Sequence, residues 1–436
     1  MINKIMNITL NVIIFIIPIL IIPEGLNIAP YNLLKILTLI ICGVILLVLL
    51  FLKKEIKLDK IDKILLLFYL LIVLSTIFSM NIIKSIIGNF NRYEGLLTFT
   101  VYFLTYYCAK YYFQYSKLTK IFAISSVCVC SIVGILQYYN IFPLYYIFNI
   151  PHASNFVCST FGNSNFFASY LSIVLTVFIA LYIVKNQKCY FVVSLISFFA
   201  ILVSMTRSSW VGITIASIFG IIYIIKNRNK SIIKRTLHLI IGFILIFIFV
   251  LKPPQFLFDL FSQNTNSQNT NLNSLNNRIT LMKTELKTAI VDKTVKSSFG
   301  SNRIEIWMMV LKVIQQAPIL GTGPDTLADA LFHIATNDAI NYVKEHNCHV
   351  DKAHNEYLQI AATTGIPALI VYSIFLMLIF IKEKDLFKKP STFILIVPII
   401  SYLVQAFFNI STIGVAPILW FLLGLIQNEP FKEKIS

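Results

Sequence analysis

The chain has 436 residues, 57% of them hydrophobic and only 13% charged, where a soluble domain carries about a quarter charged. With a mean hydropathy of +0.80, that composition excludes an ordinary soluble enzyme. The formal net charge of +17 invites a nucleic-acid reading, and only its distribution along the chain decides whether that reading stands.

Apolar runs of about 20 residues, each enough to cross ~30 Å of hydrocarbon, recur along the chain. They fall at 7–23, 33–52, 64–80, 95–113, 121–138, 166–184, 190–206, 209–225 and 237–251, then at 360–381, 392–409 and 412–427. Backbone polar groups find no water in lipid, so such runs must be helices. The expected fold is an all-α polytopic membrane protein of about twelve transmembrane helices. The first run ends in IIPEGLN, without a small-residue cleavage site, and so reads as a span rather than a removable signal. Residues 1–251 form a first transmembrane bundle, 252–359 a large loop with short amphipathic helices, and 360–436 the last spans with a tail.

The basic charge orients this array. The segments 53–63, 110–120, 185–188, 226–235 and 382–389, with Lys432 and Lys434, hold 21 Lys and Arg. The short loops on the other side hold only Lys84, Arg92 and Arg207. Such a bias puts the rich side, and with it both termini, in the cytoplasm. The charge is therefore mostly topological, and no nucleic-acid partner is expected. The long loop then lies on the outer face of the cytoplasmic membrane. Of the seven cysteines, only Cys158 and Cys348 would share the outer side, and both read as unpaired.

Within the long loop, SQNTNSQNTNLNSLNN (262–277) lacks apolar periodicity and reads as a surface segment. RIEIWMMVLKVIQQ (303–316) then places Ile304, Trp307, Val310, Leu311 and Ile314 at helical spacing. That predicts an amphipathic helix lying along the membrane surface, with Trp307 at headgroup level. Pro318, Gly321, Gly323 and Pro324 break the chain, and TLADALFHIA begins another short helix. GTG is followed by no Lys-Ser/Thr pair, so it reads as a tight turn rather than a phosphate loop.

Three ionisable positions stand out on the outer side. Arg207, in SMTRSSW between two spans, either snorkels to headgroups or faces a polar cavity or anionic partner. Arg303 opens a helix, where the dipole disfavours a cation, and reads either as solvated or as functional. His354 precedes Asn355 just before a span. Around it, EHNCHVDKAH offers His346, Cys348, His349, Asp351 and His354 as a conceivable metal cluster. Structural zinc sites normally draw on two separated pairs, so no metal is expected.

Arg303-x3-Trp307, APILGTGPDTL and AHNEYLQIAATTGIPAL, preceded by TFGNSNFFASYL (160–171) and TRSSW (206–210), resemble the signature blocks of the O-antigen ligase and O-antigen polymerase family. The resemblance runs over roughly 85–427, and its specificity lies in the order of the blocks. It implies a lipid-dependent membrane glycosyltransferase that moves a glycan from an undecaprenyl-diphosphate carrier to an acceptor hydroxyl on a glycan, lipid or protein. By the same resemblance His354 is the general base, and Arg207 and Arg303 hold the donor diphosphate. Arg92, Asn355 and Tyr357 are additional contacts, and neither cofactor nor metal is required. Inversion at the anomeric carbon follows from attack opposite the leaving group. The alternative, a flippase of lipid-linked oligosaccharide, fits the spans equally well. It calls for polar residues along a central path, which these span interiors lack, and often for related halves.

Overall fold

A computed structural model describes residues 1–21, 32–54, 56–90, 92–139, 157–227, 229–251, 280, 284, 302–383 and 389–435. The polar tract 262–277, most of the loop 139–165 and the first half of the 252–359 segment lie outside the described residues. Among the described residues every regular element is helical.

The first bundle runs from α1 (Ile2–Asn11), extended by π and 3-10 turns to Ile19, through α2 (Leu33–Lys53) and α3 (Lys60–Ile77). Then come short α4 (Ile82–Ile87), α5 (Leu96–Tyr112), α6 (Lys117–Tyr138) and α7 (Ser164–Lys185). It closes with α8 (Lys188–Val203), α9 (Arg207–Asn227) and α10 (Lys230–Leu251). The polar segment carries α11 (Arg303–Gln316), α12 (Leu327–Ile334) and α13 (Thr336–His346). The chain finishes with α14 (Glu356–Thr364), α15 (Ile366–Lys382), α16 (Pro390–Gln405), α17 (Ala416–Leu425) and α18 (Glu429–Ile435).

A helix covers most of every predicted run, and among the described residues seven helices are long and apolar enough to cross a membrane. Lys188–Val203, Ile366–Lys382 and Ala416–Leu425 are apolar but shorter. One predicted span is broken. The 360–381 run splits at Gly365, whose φ is +97° and whose added Cβ would lie 2.0 Å from the Ile319 carbonyl oxygen. Only glycine tolerates both demands, so α14 and α15 are separate helices packed on each other.

Burial separates centre from periphery. The apolar windows of α7 and α16 are 78% buried, whereas that of α10 is 6% buried, so α10 offers its apolar side chains to lipid. Around the centre α16 packs on α7 and α9, and α17 lies along α5. The α17–α5 crossing is tight because Gly424 has no Cβ, which would stand 2.3 Å from the Tyr106 carbonyl oxygen. Small residues at helix crossings serve this purpose in membranes.

The two ends of the bundle differ in chemistry. At one end the predicted cytoplasmic loops meet: Asn7 is bonded to Gln114, Lys120 to Gln187, Lys382 to Asp59, and Lys432 to Glu383. α3 starts there with a reciprocal cap between Asp59 and Asp62. Buried Lys110 joins both, 2.8 Å from Asp59 and 2.7 Å from Asp62. The opposite end carries the 302–365 segment, which has an apolar core of its own built from Ile306, Val310, Val313, Leu327, Leu331 and Tyr342, among others.

That second core corrects the reading of α11. Its inward face is Ile306, Met309, Val310, Val313 and Ile314, while Leu311, expected on the apolar side, is exposed. Trp307 is tied to the protein: its indole N–H donates to the Ala353 carbonyl at 3.0 Å. The helix is amphipathic because it packs on protein.

Candidate active site

The site is built on the GTG turn. Gly321 and Gly323 both have positive φ, +67° and +107°, which glycine adopts without steric cost. A Cβ on Gly323 would collide with the Ser79 and Ser85 hydroxyls. So closely seated, the turn pairs with the end of α14 through Thr322 N–H to Ala362 O and Gly323 N–H to Thr363 O. It also accepts the Met80 N–H at the Thr322 carbonyl. The tight turn expected of GTG is thus present, and it aims Asp325 at the loop before α5.

Asp325 is the hub of a buried clamp. Its Oδ2 accepts the Asn89 and Glu94 backbone N–H groups, at 2.6 and 3.1 Å. Its Oδ1 lies 2.7 Å from the Lys352 ammonium, which also reaches Glu94 at 3.1 Å. All three side chains are at most 6% exposed. The two carboxylates hold the Lys352 pKa above its usual value against the pull of burial. Three loops far apart in sequence are locked together, with Lys84 adding a bidentate pair to Asp329 on α12. Sequence reasoning missed this clamp. The available signal was a carboxylate beside an apolar run in RYEGL and another in GTGPD.

His354 hangs from that frame in a left-handed backbone conformation, φ +49°, which costs a non-glycine residue about 1–2 kcal/mol. Its neighbours enforce the turn. The Ala353 carbonyl accepts from Trp307 and the Ala353 N–H donates to Gln359 Oε1 at 2.8 Å. Asn355 caps α14, its Oδ1 accepting the Tyr357 and Leu358 N–H groups. Tyr357 donates its hydroxyl to the Leu403 carbonyl at 2.8 Å. The HN-x-YLQ context is therefore largely architecture: Asn355, Tyr357 and Gln359 hold the turn that carries the histidine.

The cations converge on it. Burial first, then the charge of Arg207, lowers the Arg303 pKa to about 10, so the two arginines from different regions feel each other. Burial lowers the His354 pKa to about 4, with Arg303 and Arg92 adding to the effect and Asp351 opposing it. At neutral pH its imidazole is uncharged and able to accept a proton. Arg92 is brought close but is engaged: its Nε donates to Asp351 at 2.6 Å and its guanidinium lies over the Phe166 ring at 5.3 Å. A second titratable group missed in the sequence is Glu356. Burial pushes its carboxyl up to about 7, and its Oε2 accepts the Tyr402 hydroxyl at 2.8 Å.

The crowded HNCHVD segment does not assemble as one metal site. Asp351 is on Arg92 and His349 faces the Phe332 ring. His346 bridges Glu305 and Asn302. Cys348 is exposed and Cys158 buried, and both are free thiols. Among the described residues the group with ligand atoms within 4.8 Å of one another is Glu305, Glu345 and His346.

The blocks of residues that carried the family resemblance meet here. Thr206, before Arg207, donates to the Ser164 carbonyl, and Asn409 reaches Asn165 and Ser169. A family model described as O-antigen ligase matches residues 192–373, which contain Arg207, Arg303 and His354. Over that segment the chain is similar to O-antigen ligases. It is also 24% identical over 271 residues to the ComP-specific O-oligosaccharyltransferase of Acinetobacter baylyi (strain ATCC 33305 / BD413 / ADP1). That match takes in 61% of this chain and 43% of the relative's length. These likenesses are to an O-antigen ligase model and to an oligosaccharyltransferase, and Arg92 lies outside the segment that the model matches.

Proposed function

We propose that the chain is a membrane glycosyltransferase that moves a glycan from an undecaprenyl-diphosphate carrier to an acceptor hydroxyl at the outer face of the cytoplasmic membrane. The observation that carries this reading is the convergence of Arg207, Arg303 and an uncharged His354. Two guanidiniums beside a neutral imidazole make a cationic pocket wall suited to an anionic group. Guanidinium forks match phosphate oxygens and stay charged at any working pH.

In the reaction the acceptor oxygen attacks the anomeric carbon, and its proton passes to the His354 imidazole. The bond from that carbon to the phosphate oxygen breaks, and the electron pair leaves with the carrier diphosphate. Arg207 and Arg303 neutralise charge as it grows there, a role a metal ion plays in other transferases. Attack opposite the leaving group inverts the configuration. A bound diphosphate also offsets the arginines' field on His354, so the base becomes stronger once the donor is seated. The family relative named an oligosaccharyltransferase favours an oligosaccharide as the transferred group, with a glycan, lipid or protein as acceptor.

The test is transfer by purified protein in nanodiscs, given undecaprenyl-diphosphate-linked glycan and acceptor, with EDTA present. New glycosidic bonds are expected. Movement of labelled carrier between leaflets without any such bond would favour a flippase, and loss of transfer on chelation with recovery on zinc would overturn the arginine mechanism.

A further inference from the structure

The 302–365 segment holds a second group of ligating side chains that glycosyl transfer does not use. Two polar pairs set α11 and α13 antiparallel. Glu305, in the first turn of α11, meets His346 at the end of α13, and Lys312, two turns further along α11, meets Asp338 at the start of α13. Both helices also enter the apolar core of the segment, through Ile306 and Tyr342. Packing thus brings the start of one helix to the end of the other, and with them Glu305, Glu345 and His346.

His346 Nε2 lies 3.1 Å from Glu305 Oε2 and 4.0 Å from Glu345 Oε2. The three ligand-type atoms all fall within 4.8 Å of one another. Ligands bonded at ~2.0–2.1 Å to a tetrahedral zinc ion stand about 3.3 Å apart, so small rotations of these side chains close the trio around one ion. Glu345, the most exposed of the three, has room to turn inward. A histidine N–H needs one carboxylate to accept it; the second adds negative charge that a divalent cation draws together. An imidazole nitrogen with two carboxylate oxygens suits zinc, whereas calcium and magnesium take oxygen donors.

The far side of the imidazole is supported as a metal-bound histidine requires. The Asn302 carboxamide lies 3.1 Å from Nδ1, and the Tyr342 ring packs on the imidazole with centroids 4.4 Å apart. With its oxygen turned to Nδ1, the carboxamide accepts the N–H there, and that tautomer leaves the Nε2 lone pair for the ion.

We propose that Glu305, Glu345 and His346 form a zinc-binding site, with water as the fourth ligand and Asn302 as the group that orients the histidine. The ion staples the start of α11 to the end of α13. It takes no part in glycosyl transfer, which proceeds in EDTA, so the two readings stand or fall separately.

Zinc titration of the EDTA-treated, dialysed full chain in nanodiscs, read by calorimetry and thermal unfolding, tests the site. One zinc ion should bind, and at a hundredfold excess over the Kd the melting temperature should rise by about 5 °C. Calcium should bind far more weakly. His346→Gln and Glu345→Gln should each weaken zinc binding by about tenfold or more, and Asn302→Gly, which tolerates the positive φ at that position, about tenfold. Without zinc, Glu345→Gln should melt as the wild type does, because the side chain is exposed. Full zinc affinity in the His346 and Glu345 variants, loss of zinc binding in Cys348→Ser, or equal affinity for calcium would each overturn the proposal.

Discussion

Lys110 and Lys352 solve the same electrostatic problem at opposite ends of one helix. Each is a buried ammonium held by two carboxylates, Asp59 and Asp62 for one, Glu94 and Asp325 for the other. α5 begins two residues after Glu94 and carries Lys110 near its other end, so the pair are separated by about 25 Å of helix. The difference lies in what surrounds them. Around Lys110 the charges balance locally and two tyrosines complete the cluster, Tyr106 and Tyr111 donating to Asp62. Around Lys352 one ammonium and two carboxylates stand near Arg207 and Arg303, whose charges act on each other. One cluster ends a bundle; the other builds a frame for something that arrives.

Four measurements press on that contrast. The largest effect should come from His354→Asn, which keeps a side chain tolerant of positive φ while removing the base. Transfer should fall on the order of 10²–10⁴-fold with the melting temperature nearly unchanged. In the wild type the acid limb of the pH–rate profile for free enzyme should sit near the His354 pKa of about 4, because only the neutral imidazole accepts a proton. Turnover by the Asn variant at the wild-type rate would remove His354 from the mechanism.

Next, Lys110→Met and Lys352→Met should each cost about 3–5 kcal/mol, since each leaves at least one buried carboxylate without its ammonium, Asp62 in the first and Glu94 and Asp325 in the second. Denaturation in detergent reads that cost, and transfer by the surviving folded protein tells the two apart. Folded Lys110→Met should work normally, whereas folded Lys352→Met should lose transfer with its Arg92 and His354 loops released. Equal activity per folded molecule would mean that the second clamp supports only the fold.

Arg207→Ala and Arg303→Ala should each weaken the apparent affinity for the donor about tenfold, worth roughly 1.4 kcal/mol. The Lys versions should recover only part, because an ammonium lacks the planar fork. Full recovery by Lys would mean that charge alone matters there.

The smallest effect concerns Glu356. Its folded pKa is raised from 4.5 to about 7, so the folded state keeps a proton that the unfolded state has lost. The stability it contributes is complete below about pH 4.5 and is lost as pH rises through 7. Glu356→Gln retains an oxygen for the Tyr402 hydroxyl and has no carboxyl to ionise. It should melt higher than wild type at pH 8, on the order of 2 °C, and no higher at pH 5. A gain at both values would point to packing instead.

What was legible in the sequence followed from local rules. Apolar length gave the helices, charge bias gave which loops gather at one end, and two glycines gave the turn at 321–323. Arg207, Arg303 and His354 were found by resemblance, and no periodicity singles them out. The pairing within the Lys352 clamp was not legible, because its three members lie in separate stretches and meet only in space. The inward face of α11 was misassigned for a related reason: the helix packs against α12, α14 and the Ala353 turn rather than lying on lipid. Glu356 is a first-turn acid, a position favourable beside the helix dipole, and its enclosure by Tyr402 from α16 arises only in three dimensions.

The clamp also carries a consequence for how the molecule is made. Asn89 and Glu94 wait for Asp325 and Lys352 across separations of 231 to 258 residues. Until the chain has been made past residue 352, Glu94 lacks the Lys352 ammonium and the loop before α5 lacks that anchor. The frame of the candidate site can therefore close only after residue 352 has been made, when three distant loops gather around a single ammonium.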